Sequence, residues 1–299
     1  MKRLTFFALF VVAAQALPFN NYQFQHRSLQ NPVFRQQRYL YKPSTPNIEQ
    51  DRQFHALINV NNGGFCSGIL VDADKVLTSA QCVKGGSTFE IRLNRRDLYN
   101  VDPSENANET NASSSNAIIH PEFMRTFEKA VNDLALLVLD TPVSITPVAV
   151  GGQFFSDPLT EYIDVPLVGY GLSDDTNFDG KSMQGYLQLH STHSKPIIEC
   201  VGYIPAIDMS GKHMCAEPAG LSSCFGDPGS PLLQYSSSEP GFEVIGIASF
   251  GSQTLCDLYG ITVFTYVRSY HDWLAANGVP ITGKKVCQDG TSRLIPAPV

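Results

Sequence analysis

From residue 51 onward the chain breaks into short β-type runs separated by clusters of Gly, Pro, Asn and Ser. Such runs occupy residues 54–60, 65–71, 89–93, 134–139, 165–170, 242–250 and 261–267. A helical period appears only at 269–277, where Tyr270, Trp273 and Leu274 stand at i, i+3 and i+4 and Gly278 follows as a stop. Many short strands and then one terminal helix predict an all-β barrel or sandwich. No internal repeat is present, and the serine runs at 113–115 and 236–238 read as loop tips.

Composition narrows the class. Of 299 residues, 43% are hydrophobic and 16% charged, too apolar for a disordered protein and too long for a disulfide-only mini-fold. Such a length fits one or two domains, including a single double-barrel one. Lys and Arg number 21 against 28 Asp and Glu, for a net charge of −7, and no basic block occurs. Such a chain is a poor candidate for nucleic acid or an anionic membrane surface.

The first residues set the compartment. Lys2 and Arg3 precede an apolar run from Leu4 to Ala14, and Ala14-Gln15-Ala16 forms an A-x-A cleavage site. Residues 1–16 therefore read as a secretory signal peptide, too short to span a bilayer, with a mature start near Leu17. No later stretch is apolar for that long, so no membrane insertion is expected. Secretion makes disulfides the default for the seven cysteines. It also makes glycosylation acceptors of Asn108 in Asn108-Glu109-Thr110 and Asn111 in Asn111-Ala112-Ser113. Residues 17–50 are rich in Asn and Gln, carry Arg27, Arg35, Arg38 and Lys42, and lack cysteine. They read either as a mobile, propeptide-like arm or as a wrap around the domain through Tyr39, Leu40 and Tyr41. The domain then spans 51–278, and 279–299 forms a C-terminal tail.

Three windows carry the chemistry. The first is Phe65-Cys66-Ser67-Gly68-Ile69-Leu70-Val71 with Val76-Leu77-Thr78-Ser79-Ala80-Gln81-Cys82. The second is Asn132-Asp133-Leu134-Ala135-Leu136-Leu137, and the third Cys224-Phe225-Gly226-Asp227-Pro228-Gly229-Ser230-Pro231. In order and spacing they resemble the histidine, aspartate and serine windows of the chymotrypsin-like (S1) serine proteases. Ile119-His120-Pro121-Glu122-Phe123, Gly169-Tyr170-Gly171, Ser249-Phe250-Gly251 and Tyr270-His271-Asp272-Trp273-Leu274 add to the resemblance. The Cys-Phe-Gly-Asp core is similar to that of the arthropod brachyurin- and chymotrypsin-like branch. The resemblance covers about residues 51–278 and implies two six-stranded antiparallel β-barrels with a C-terminal helix.

The departures decide the activity. In this chemistry a serine hydroxyl attacks a carbonyl, a histidine takes its proton and an aspartate orients the imidazole. Gln81 matches the histidine position, and a carboxamide has no basic nitrogen near neutral pH. Pro228 matches the nucleophile, so the hydroxyl is gone and so is one oxyanion-hole N–H, a donor typically worth about 10²–10³ in kcat. Asp133 alone survives of the triad, and its carboxylate has a structural use in accepting hydrogen bonds from the Gln81 region and Ser249. Ser230 matches a glycine, and His26, His55, His120, His190, His193, His213 and His271 all fall outside the base window. The oxyanion-loop positions Gly226 and Asp227 are kept, yet no Ile-Val-Gly-Gly segment stands near residues 38–42 to pair with Asp227.

The resemblance also assigns the remaining residues. It pairs Cys66 with Cys82, Cys200 with Cys215 and Cys224 with Cys256, each bridge worth roughly 2–4 kcal/mol. Cys287 is left over, either free or linking two chains as a dimer. Ser222 matches the specificity-pocket base and Ser249, Gly251 and Thr262 line its wall; the groove is either vestigial or still able to hold a peptide. No Cys/His spacing indicates a metal site, no cofactor is implied, and the acidity of the loop 100–110 (Asp102, Glu105, Glu109) does not by itself make a calcium site. The expected protein is a secreted, extracellular pseudoenzyme that binds a protein partner as regulator, decoy or scaffold in a proteolytic or immune pathway. The alternatives are a serine endopeptidase with residual activity and a structural or adhesive protein assembled through the arm and Cys287.

Overall fold

A computed structural model of the chain describes residues 52–61, 64–98, 103–126, 129–151, 159–170, 187–218, 228–236, 241–251, 261–282, 284–286 and 292–294. All of them lie in the unit Asn47–Val299. The leader, the arm, Ser222, Gly226, Asp227, the Cys224–Cys256 pair and Cys287 lie outside the described residues.

The N-terminal half is strand after strand. β1 (His55–Val60), β2 (Gly64–Asp72) and β3 (Lys75–Thr78) form a meander, followed by β4 (Phe89–Leu93), β5 (Thr110–Ser114) and β6 (Asn116–Ile119). A short ribbon of β7 (Met124–Arg125) and β8 (Ala130–Val131) precedes β9 (Ala135–Val138). Alternation is plainest in β4, where Phe89, Ile91 and Leu93 are buried and Glu90 is exposed. Gly68 in β2 lets the strands close up: a Cβ there would lie 2.9 Å from both Ile58 Cδ1 and Val76 Cγ1.

In the C-terminal half, β10 (Asp164–Gly169), β11 (Gln188–Lys195), β12 (His213–Pro218), β13 (Pro231–Tyr235), β14 (Phe242–Gly251) and β15 (Thr262–Tyr266) close into an antiparallel six-stranded barrel in the order β10-β11-β12-β15-β14-β13. Val165, Leu167, Met214, Leu232, Ile245 and Phe264 fill it. A second apolar cluster runs between the halves, with the Phe54 ring edge-on to Phe242 at 6.2 Å.

The N-terminal sheet differs from the expected closed six-stranded barrel. It is a seven-stranded order, β5-β4-β1-β2-β3-β9-β6, whose two terminal strands are consecutive in the chain and joined by Ser115. Counted as one strand bent at Ser115, β5 and β6 bring the number to six. Asp140, just past β9, holds the bend: it accepts from Ser113 Oγ at 2.6 Å and from Ser115 N at 3.2 Å, and its own N–H donates to Ser113 O at 2.9 Å. The serine run at 113–115 is therefore a strand end and its corner, not a loop tip.

The terminal helix begins later than its period indicates. Residues Val267–Tyr270 form a 3₁₀ turn and His271–Ala276 the α-helix. Two further short helices, Ala80–Val83 and Ile197–Val201, escape a periodicity test because they are one turn long. Each carries one cysteine of a bridge, Cys66–Cys82 and Cys200–Cys215 respectively, the first two pairings that the resemblance implies. Packing continues past Gly278: Val279 is buried, and Thr282 N donates to Val150 O at 2.8 Å. Beyond it β16 (Lys284–Val286) pairs with β17 (Ser292–Leu294). No helix among the described residues is long and apolar enough to cross a membrane.

Candidate functional site

The site forms where the helix Ala80–Val83 meets the segment before β9 and the end of β14. A helix N-terminus leaves backbone N–H groups without partners. Ser79 makes no side-chain cap here; Asp133 Oδ1 accepts from Gln81 N at 2.8 Å instead. Asp133 Oδ2 accepts from Gln81 Nε2 at 2.7 Å and from Ser249 Oγ, and Gln81 Nε2 also donates to Ser249 O. Asp133 is fully buried.

Local backbone geometry aims each side chain. Asn132 sits in the left-handed region at φ 53°, a conformation Asn tolerates better than most residues. It is held there by Lys212 Nζ and Tyr270 Oη, which donate to Oδ1 at 3.0 and 3.1 Å, and by Nδ2 donating to Glu122 O at 2.9 Å. Thr265 Oγ1 donates to the Asp133 carbonyl at 3.0 Å. Ser249 falls at a register shift in the β14–β15 ladder, between Ala248↔Phe264 and Phe250↔Val263. A bulge of this kind re-aims a side chain, and Ser249 turns toward Asp133.

Burial raises the Asp133 carboxyl above its ordinary range, against the hydrogen bonds from Ser249 and Gln81 and the charge of Arg125, which lower it. Pro228 lies beside this cluster. Its carbonyl accepts from Ser67 N at 3.0 Å and stands 3.4 Å from Cys82 Sγ, a contact without a proton because that sulfur is bonded to Cys66. Gly229 follows at φ 85°, where a Cβ would lie 2.1 Å from Ser67 O. Ser230 is buried, and Gly251 and Thr262 face each other across β14 and β15.

The described histidines near these elements serve elsewhere. His120 packs against Tyr270 and Trp273 at 5.3 and 5.2 Å. His213 Nδ1 accepts from Asp208 N at 2.9 Å. His55, outside the base window in sequence, is fully buried, with Nε2 3.2 Å from Ser67 Oγ and its ring edge-on to Tyr170. Burial, and then the charge of Arg52, hold its pKa down at about 3. The ring is neutral. Glu109 of the acidic loop is taken up by Arg95 at 2.6 Å and Arg92 at 3.6 Å. Among the described residues no group of His, Cys, Asp and Glu is arranged to hold a metal ion.

Comparison with known proteins places this arrangement. The sequence profile of the Trypsin family matches residues 45–274. The chain belongs to the Trypsin family. Within it, human kallikrein-12 is 29% identical over 210 residues, covering 70% of this chain and 79% of the kallikrein. Mouse vitamin K-dependent protein C is 26% identical over 234 residues, covering 74% of this chain and 48% of that protein. The CLIP domain-containing serine protease B10 of Anopheles gambiae is 28% identical over 234 residues, covering 71% and 61%. This Trypsin-family chain thus spans about half the length of the mouse relative.

Proposed function

We propose that this chain is a secreted, non-catalytic member of the Trypsin family that acts by binding other proteins, as a regulator, decoy or scaffold of extracellular proteolysis. One observation carries the reading: the nitrogen that meets Asp133 Oδ2 is the carboxamide nitrogen of Gln81. An amide nitrogen takes up no proton near neutral pH, so it cannot serve as general base. Both of its protons are engaged, one by Asp133 and one by Ser249 O.

Pro228 supports the reading from the other side. At the position matched to the nucleophile it supplies neither hydroxyl nor backbone N–H. Secretion is supported by the basic, apolar and A-x-A pattern of residues 1–16 and by two disulfides of the kind that persist in oxidising compartments.

The test is covalent labelling of the secreted full-length protein with a fluorophosphonate probe, beside a chymotrypsin control. The expected result is a labelled control and no labelled serine in this chain by mass spectrometry. A serine labelled in the native but not the heat-denatured protein overturns the reading. Affinity capture from native extracellular fluid is expected to return a defined protein partner.

A further inference from the structure

We propose that the outer face of the closed barrel around β11 and the helix Ile197–Val201 is a docking surface for a basic segment of a partner protein. The inference rests on the protein-binding reading above and names the chemistry of the partner. Tyr162, Ile198 and Tyr203 are 45%, 64% and 61% exposed. Large side chains of this kind, grouped and open to water, mark interaction surfaces, and tyrosine is enriched in protein interfaces.

Hydrogen bonds and charge join the two tyrosines, and Ile198 stands next to Glu199 in the helix. The Tyr162 hydroxyl donates to the Glu199 carboxylate. Lys195 Nζ stands 6.0 Å from the Tyr203 ring centroid and 2.7 Å from Glu217. Partial burial, the Glu199 bond and the negative charges of Glu199 and Glu217 all hold the Tyr162 phenol above its ordinary range. The charged groups that act on the Tyr162 hydroxyl are thus carboxylates.

That sign selects the partner. Glu161 and Asp164, both exposed, lie within two residues of Tyr162 in the chain, so the segments that carry the patch bring four carboxylates and one lysine that is already paired. His193 on this face is tied to Asp164 at 2.9 Å. The Lys195 side chain is only 13% exposed, whereas Glu217 is 42% exposed and Asp164 65%, so the carboxylates face the solvent and the ammonium lies beneath. The fold itself already sets a cation over Tyr203, and an Arg or Lys of the partner repeats that contact on the open rings. A second copy of the chain would set like charges against each other, at a cost of several kcal/mol in such juxtapositions.

The test measures binding of a fluorescent peptide of alternating arginine and leucine to the secreted full-length protein, beside a glutamate–leucine peptide of equal length. The arginine peptide is expected to bind and the glutamate peptide not. Affinity is expected to fall at least tenfold in Tyr203→Ala and in the double variant Glu199→Gln, Glu217→Gln. Glu199→Gln keeps an acceptor for Tyr162, so this variant separates charge from folding. Glu90→Gln, at the exposed position of β4, removes equal charge per site elsewhere and is expected to change nothing. No binding of the arginine peptide, equal binding of both peptides, or equal loss in Glu90→Gln overturns the proposal. Self-association that Tyr203→Ala abolishes overturns it as well, in favour of a second copy. Fluorophosphonate labelling bears on the non-catalytic reading alone, so the two failures are told apart.

Discussion

Gln81 and Asp133, 52 positions apart, meet through two hydrogen bonds, one from the backbone N–H and one from the side-chain amide. Asp133 thereby caps a helix that its own neighbour Ser79 leaves uncapped, and through Ser249 it ties that helix to the C-terminal barrel. A carboxylate used this way has a structural reason to be present without any turnover.

Removing the Gln81 side chain should cost stability in a pH-dependent way. Gln81→Ala leaves a buried carboxylate short of one donor, a loss of about 1.5–3 kcal/mol for a bond to a charged group. The Asp133 carboxyl is already raised in the fold, so its ionised form disfavours folding increasingly as pH rises through the folded value. Losing a donor raises it further. The destabilisation in urea melts is therefore expected to be larger at pH 7 than at pH 4; an equal cost at both would mean the bond contributes nothing to the charged form.

Restoring the two residues matched to the base and nucleophile should not restore protease-like turnover. Gln81→His with Pro228→Ser returns an imidazole beside Asp133 and a hydroxyl with its N–H. The imidazole must also give up the bond that Gln81 Nε2 makes to Ser249 O, and Ser230 remains buried where the resemblance implies glycine. No Ile-Val-Gly-Gly segment is present to pair with Asp227. The double variant is expected to fold and to cleave chromogenic peptides at least about 10³-fold more slowly than chymotrypsin, a deficit on the scale of a lost oxyanion donor or more. Chymotrypsin-like kcat/KM would show an already formed site.

His55 should make the fold acid-sensitive. Its folded pKa of about 3 lies below the unfolded value of 6.5. The stability it contributes is full above pH 6.5 and is lost as pH falls toward 3, because the unfolded chain takes up the proton first. A tenfold difference in proton affinity between the folded and unfolded chain is worth about 1.4 kcal/mol, so the loss reaches a few kcal/mol. His55→Gln keeps a partner for Ser67 Oγ and is expected to flatten the decline in urea midpoint between pH 6.5 and 4. Parallel declines in both proteins would assign the acid sensitivity to other groups.

Gly229→Ala should unfold the chain far more readily than Gly85→Ala. Both glycines have positive φ, 85° and 87°, which costs any L-residue about 1–2 kcal/mol. Around Gly85 there is open space, whereas at Gly229 a Cβ would meet Ser67 O and Thr78 Oγ1 at 2.1 and 2.4 Å. The expected difference in unfolding free energy is about 2 kcal/mol or more. Similar melting of the two variants would show that the Pro228–Gly229 turn relaxes freely.

Glycan is expected on the segment 108–111. Asn108 and Asn111 are both exposed, and along β5 Asn111 and Ser113 point outward with Ala112 turned in. Mass mapping of the secreted protein after glycosidase treatment should find deamidation at one or both. Unmodified peptides covering both sequons would refute it.

Much of this was legible from local pattern. The alternation of Phe89, Ile91 and Leu93 is visible in five residues, and Asn132-Asp133 stands out by its neighbours Leu134 to Leu137. What stayed hidden depends on contacts between distant segments. The bulge that turns Ser249 is a property of two strands in register, not of either sequence. The His55–Ser67 pair joins diagonal positions of a hairpin, where His55 faces Ile69 and Ser67 faces Leu57, and one-turn helices at Gln81 and Glu199 are too short to show a period.

The corner at Ser115 bears on self-recognition. Terminal strands of a sheet are templates for pairing with other chains, and proteins usually blunt them with charge, proline or a cover. Here β5 and β6 are one piece of backbone, and Asp140 clamps the joint from the far side. The sheet's two margins are fastened to each other by a peptide link. A strand of another chain seeking either margin therefore meets a backbone bent and clamped at Ser115 rather than one long straight edge, and its pairing is confined to the short run on either side of the corner.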